Sequence, residues 1–161
     1  MRALTSTAIL LAITLGACGG GEDKAGQPTA AAPAPALSEA DKQTILASLP
    51  APYNAADLAN GRAKFAQCRS CHTLTEGGAS MTGPNLHGVF GRKAATHGEY
   101  KYSDPLKASG ITWDAATLDP WLESPRTMVP GTKMVFAGVK NPKDRVDLIA
   151  YLATETGKLP S

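Results

Sequence analysis

The chain has 161 residues, 16 Lys+Arg against 14 Asp+Glu, and a formal net charge of +2. That balance, with no basic cluster along it, excludes a nucleic-acid-binding surface. At 6% aromatic residues an aliphatic core alone would be modest, and a buried prosthetic group would enlarge it. The charge divides unevenly: residues 54–161 carry 13 Lys+Arg and 10 Asp+Glu, residues 19–53 carry 2 and 4, and Arg2 supplies the rest. A domain of such mild positive charge steers an acidic partner only weakly.

In chain order, Met1-Arg2 gives a short positive start, and residues 3–17 form an apolar or small run ending in Leu15-Gly16-Ala17-Cys18. This is the shape of a secretory signal. It resembles a bacterial lipoprotein signal, in which cleavage before Cys18 exposes that residue to diacylglycerol attachment and N-acylation. The run is short of the ~20 residues that span a bilayer. Ordinary cleavage, releasing a soluble periplasmic protein, is the alternative. A triacylated Cys18 would anchor the protein stably, because one chain alone anchors only marginally. The expected location is therefore the periplasmic side of a bacterial membrane.

Residues 19–53 read as a tether rich in Ala, Pro and Gly. Within it, Ser38 followed by Asp41 signals a helix start, and the helix runs to about Ser48, either packing on the domain or extending the tether. Treated as a flexible chain, some 35 residues reach about 30 Å. The remaining residues, 54–161, are expected to form one all-α domain. Asn54, with Asp57 at the third position, is read as the cap of a helix running to about Gln67. Residues 76–93 read as Gly-rich loop. Thr112 is expected to open a helix through Leu118. Because Pro120 would cost about 3 kcal/mol inside a helix, Asp119 is read as the cap of a separate short helix carrying Trp121 and Leu122. Asn141-Pro142 marks the start of the last helix and Gly157 its end.

The pentapeptide Cys68-Arg69-Ser70-Cys71-His72 carries the chemistry. Two thiols two residues apart match the vinyl groups of haem, and the adjacent His falls under the ring to bind iron. A thioredoxin-like pair would need a preceding strand, and a zinc site a second ligand pair; the upstream segment is helical and only His87 and His97 remain. With Cys68 and Cys71 in thioethers to haem c and Cys18 in one to lipid, no cysteine is left for a disulfide. His72 then needs an acceptor for its second ring nitrogen. For the sixth iron ligand, Met134 follows the Pro130-Gly131 turn on a loop. Met81 lies too near His72, and Met128 is read as core filler. His87 and His97 are read as structural or solvated.

Four further stretches, in order, carry a resemblance: Gly83-Pro84-Asn85-Leu86-His87-Gly88-Val89-Phe90-Gly91-Arg92, Gly110-Ile111-Thr112-Trp113, Pro130 to Gly138, and Asp147-Leu148-Ile149-Ala150-Tyr151-Leu152. With the haem motif they resemble class I, mitochondrial-type cytochromes c over about residues 57–155. The resemblance implies a class I fold of short helices and loops around one covalent haem. It implies that the Pro84 carbonyl accepts from His72 and that Arg92, Tyr102 and Trp113 hold the haem propionates. It also implies that Thr132 steadies the methionine loop, that Phe136 covers the haem beside it, and that Gly61 and Phe65 pack against Leu148 and Tyr151. Leu106 and Trp121 depart from the family's usual Asn and Tyr, and the lysine ring is thinner. The implied function is a monomeric respiratory-chain electron carrier, not an enzyme, between a quinol–cytochrome c oxidoreductase and a terminal oxidase. The alternatives are an electron-transfer subunit of a periplasmic dehydrogenase or reductase, and a ligand-binding or peroxidase-like haem protein.

Overall fold

The computed structural model describes residues 37–157 apart from Glu99. The signal segment, Cys18 and the linker up to residue 36 lie outside the described residues. Among the described residues the fold is all-α, as expected. Its helices are α1 (Glu39–Ser48), α2 (Leu58–Phe65), α3 (Asp104–Ala108), α4 (Ala115–Glu123), α5 (Pro125–Met128) and α6 (Pro142–Thr156), with a 3₁₀ turn at Tyr53–Ala55. Among these residues the one extended pairing is an isolated antiparallel bridge between Lys93 and Thr112. None of the described helices is long and apolar enough to cross a membrane.

Helix α1 starts where its capping pattern says it should. Ser38 accepts from the Asp41 N–H at 3.2 Å, and the Asp41 carboxylate accepts from the Ser38 N–H at 3.3 Å, so two orphan donors are satisfied reciprocally. Of the two courses open to it, α1 packs on the domain. Lys42 Nζ meets Glu155 of α6 at 2.7 Å, and Leu46 and the buried Leu49 join the core cluster.

Helix α2 begins later than expected. Its cap is Asp57, whose carboxylate accepts from the Ala59 and Asn60 N–H groups at 2.9 and 3.0 Å, while Asn54 lies in the 3₁₀ turn. The start is fixed from outside the helix: the Asp57 N–H donates to the buried Asp147 carboxylate of α6 at 2.9 Å. Asp147 also accepts from Asn60 at 2.7 Å and Lys143 at 2.6 Å. Burial alone would push this carboxyl up; the bonds from Lys143, Asn60 and the Asp57 N–H outweigh it and hold Asp147 below its ordinary value. At the same crossing a Cβ on Gly61 would fall 2.7 Å from Tyr151 Cβ and closer still to the Asp147 carbonyl. Phe65 and Tyr151 pack with ring centroids 5.8 Å apart.

The expected break before Pro120 is absent. Residues 115–123 form one helix, capped by Asp114 and Thr117 rather than opened at Thr112. A continuous helix buries Ala115, Leu118, Trp121 and Leu122 on one face, which two pieces at an angle would not do. Pro120 and Ala116, the residue whose carbonyl loses its donor, are both exposed, so water can satisfy that carbonyl. Helix α6 follows its signals: Asn141 accepts from the Lys143 N–H at 2.9 Å, Pro142 opens it, and Gly157 closes it with φ of 65°. Helices α3 and α5 were not foreseen; each is a turn or so long and has proline in its first turn.

Candidate haem-binding site

After α2 the chain tightens into turns that carry the pentapeptide. The N–H groups of Cys71 and His72 both donate to the Cys68 carbonyl at 3.0 Å, which brings Cys68, Cys71 and His72 to one cleft. No disulfide joins Cys68 to Cys71. Before a thioether forms, burial pushes the Cys68 thiol up to about 11.

His72 is oriented by two backbone groups. Its Nδ1 lies 2.7 Å from the Pro84 carbonyl. A carbonyl only accepts, so Nδ1 carries the proton and Nε2 is left with its lone pair. Burial pulls the imidazole below its ordinary value, partly opposed by the Pro84 bond, which keeps the ring neutral at pH 7. Gly83 is the second group: a Cβ there would fall 2.7 Å from both ring nitrogens. The sequence reading gave Gly83 no role. Asn85, almost wholly buried, then holds the loop through Thr73 Oγ1 at 2.7 Å and the Thr75 carbonyl at 2.9 Å.

The cleft is lined mainly by apolar side chains, among them Phe65, Leu106, Trp121, Leu148 and Leu152. Its volume is about 210 Å³, far above the roughly 10–15 Å³ that one water needs. It is therefore a binding cavity rather than a packing void. Met134 lines it as well, and the Met134 N–H donates to Thr132 Oγ1 at 3.3 Å. Phe136 stands apart from the lining and packs, half-buried, against the core cluster. Met128 packs there too, and Met81 is exposed.

Arg92, Tyr102 and Trp113 all line the cleft. Backbone pairing sets Arg92 beside Trp113, through Trp113 N–H to Arg92 O at 2.9 Å and Gly91 N–H to Trp113 O at 2.7 Å. The half-buried Arg92 guanidinium donates to the carbonyls of His87 and Asn85 at 2.9 and 3.2 Å and to His97 Nδ1 at 3.0 Å. Among the described residues no carboxylate pairs with it. In the same lining, Ser103 Oγ is buried with no partner. An orphaned hydroxyl and a partly desolvated cation facing an apolar cleft fit the carboxylates of a largely apolar ligand. A lone Ser with no motif around it carries no signal in the sequence, and only folding shows that its hydroxyl is buried without a partner. His87 Nδ1 lies 3.2 Å from the Leu74 carbonyl, a structural placement.

A family model described as Cytochrome c matches residues 58–156. The chain belongs to the cytochrome c family. Cytochrome c2 of Rhodomicrobium vannielii is 49% identical over 106 residues, which is 66% of this chain and 85% of that relative. Cytochrome c of Arabidopsis thaliana is 50% identical over 90 residues, 56% of this chain and 80% of the plant protein. Among solved structures, cytochrome cH from Methylobacterium extorquens matches with a TM-score of 0.57 and 48% identity, over 61% of this chain and 98% of that one. The fold is the class I cytochrome c fold. As a member of the family the chain binds one covalent haem c and serves as an electron carrier, not an enzyme. Helix α1 lies before the region that the family model matches.

Proposed function

We propose that this cytochrome is a lipid-anchored shuttle on the periplasmic side of a bacterial membrane, taking electrons from a quinol–cytochrome c oxidoreductase and delivering them to a terminal oxidase. The observation that carries the reading is the shared cleft of Cys68, Cys71, His72 and Met134. In it Cys68 and Cys71 would hold the haem through thioethers, while His72 Nε2 and Met134 Sδ would ligate the iron. Haem c supplies a one-electron iron couple whose potential is raised by thioether ligation and burial. The Pro84 carbonyl fixes His72, and Thr132 braces the Met134 loop. Arg92, Tyr102 and Trp113, with Ser103, receive the propionates. Phe136, which the resemblance sets over the haem, packs instead against the core cluster outside the cleft lining. With His72 and Met134 both offered to the iron, the protein would leave no coordination site for a substrate.

The cleft reaches the surface beside Met134. Val135 is 81% exposed, and Lys133 next to it is exposed while its Nζ donates to the Lys101 carbonyl at 3.0 Å. An apolar spot beside an exposed lysine suits a transient acidic partner. Cys18, lipidated, would retain the domain near both complexes as a monomer on a tether.

The test supplies the haem-matured full chain to bacterial membranes stripped of their own c-type carrier. Quinol-dependent oxygen uptake is expected to return, and a Cys18→Ser chain to move to the soluble fraction. Failure to accept electrons from the quinol side, with rapid reduction by a periplasmic dehydrogenase instead, would assign the protein to that dehydrogenase.

A further inference from the structure

Met134 sits on a loop, and a loop keeps a side chain in place only as well as both its limbs are fixed. The incoming limb is held by the buried Thr132, whose N–H donates to the Val129 carbonyl at 3.1 Å. The outgoing limb, residues 138–140, has no helix of its own and is fixed from outside. Val139 N–H donates to the Leu122 carbonyl at 2.8 Å, and Lys140 Nζ donates to the Glu123 carbonyl at 2.6 Å. Gly138 lies with φ of 91° against the Glu123 carbonyl, where a Cβ would collide.

Arg145, in α6, completes this clamp. Its Nη1 donates to both the Val139 and Lys140 carbonyls at 3.1 Å, its Nε donates to Asp119 Oδ2 at 3.1 Å, and Glu123 lies 3.8 Å away. The residue is only 7% exposed. Well-packed apolar side chains often serve packing as well as a buried ion pair does, so helix packing alone gives no reason for a cation here. The planar guanidinium fork does something an apolar group cannot: it binds two loop carbonyls and a carboxylate of α4 from one rigid plane.

We propose that Arg145 is a positioning residue for Met134. By fastening the main chain of Val139 and Lys140 to α4 and α6, it holds the loop closed and keeps the thioether in the cleft. The proposal rests on the reading of Met134 as the iron ligand.

The experiment uses the haem-matured full chain as wild type, Arg145→Gln, Arg145→Lys and Asn60→Ala. Asn60 bridges α2 and α6 through Asp144 and Asp147 and bonds neither of the loop carbonyls that Arg145 holds. Three readings are taken of each: the far-red methionine–iron band of the oxidised protein, the fraction of reduced protein that binds carbon monoxide, and the thermal midpoint. Arg145→Gln is expected to weaken the band and raise the carbon-monoxide-reactive fraction about tenfold, equivalent to ~1.4 kcal/mol. Arg145→Lys, able to reach a single carbonyl, is expected to fall between it and wild type, and it carries the test should the glutamine variant fail to mature. Asn60→Ala is expected to lower the midpoint while leaving band and carbon monoxide binding unchanged. An Arg145→Gln protein with lowered midpoint but wild-type band and reactivity overturns the proposal, as does an equal rise in Asn60→Ala. A wild type lacking the band overturns the ligand reading itself, and the proposal with it.

Discussion

A methyl group at residue 83 would fall 2.7 Å from both ring nitrogens of His72, with nowhere for the imidazole to go while Nδ1 holds the Pro84 carbonyl. Gly83→Ala is therefore expected to turn the ring, lowering the yield of haem-matured protein and the low-spin fraction of its reduced spectrum. Ser103 gives a subtler test. If its unpartnered hydroxyl binds a propionate, Ser103→Ala should destabilise the haem-matured protein by about 1 kcal/mol, the net worth of one hydrogen bond. If the hydroxyl stays an orphan, its removal should be neutral or stabilising. At this scale the site was legible where chemistry dictates a residue type at a fixed spacing, as in Cys68, Cys71 and His72. It was illegible where a residue acts by lacking atoms, as Gly83 does, or by a lone hydroxyl, as Ser103 does.

Among the elements, helix existence was easier to read than helix boundaries. Ser38, Asn141 and Gly157 each act within their own turn, so their signals survive folding. Asp57 replaces Asn54 as a cap because Asp147, 90 positions along the chain, takes its N–H. Likewise Pro120 stays inside α4 because burying Trp121 and Leu122 together outweighs one missing hydrogen bond at an exposed carbonyl. The Asp147 cluster also makes stability depend on acid. Its folded carboxyl lies below the ordinary value of about 3.9, so its stabilisation is complete above that value and is lost as pH falls through the folded one. Thermal midpoints measured from pH 6 to pH 2 should fall across that window, and less steeply in Asp147→Asn, which starts from a lower midpoint. Helix α1 adds its own share through Leu49. Leu49→Ala is expected to cost about 2–4 kcal/mol, measurable by denaturant unfolding of the haem-matured chain; a cost near zero would mean that α1 adds little to the domain.

For the whole molecule, sequence and fold agree because each level asks for the same thing. A short chain with few aromatic residues needs a large apolar group to complete its core, and the folded chain leaves a cleft of that kind lined by the very residues that could bind one. The charge of the domain also sets how it meets partners. The +3 on residues 54–161, lowered further by two propionates, predicts an electron-transfer rate with an acidic partner that falls only mildly as ionic strength rises from low to physiological. A steep fall would mean that the positive charge is concentrated in a docking patch rather than spread over the domain. The most direct test of the central claim is the visible spectrum of the haem-matured protein, oxidised, reduced, and reduced under carbon monoxide. Ligation by His72 and Met134 predicts a sharp low-spin reduced spectrum, a weak far-red band when oxidised, and no response to carbon monoxide. A high-spin spectrum, or rapid carbon monoxide binding, would contradict it and show an open sixth position.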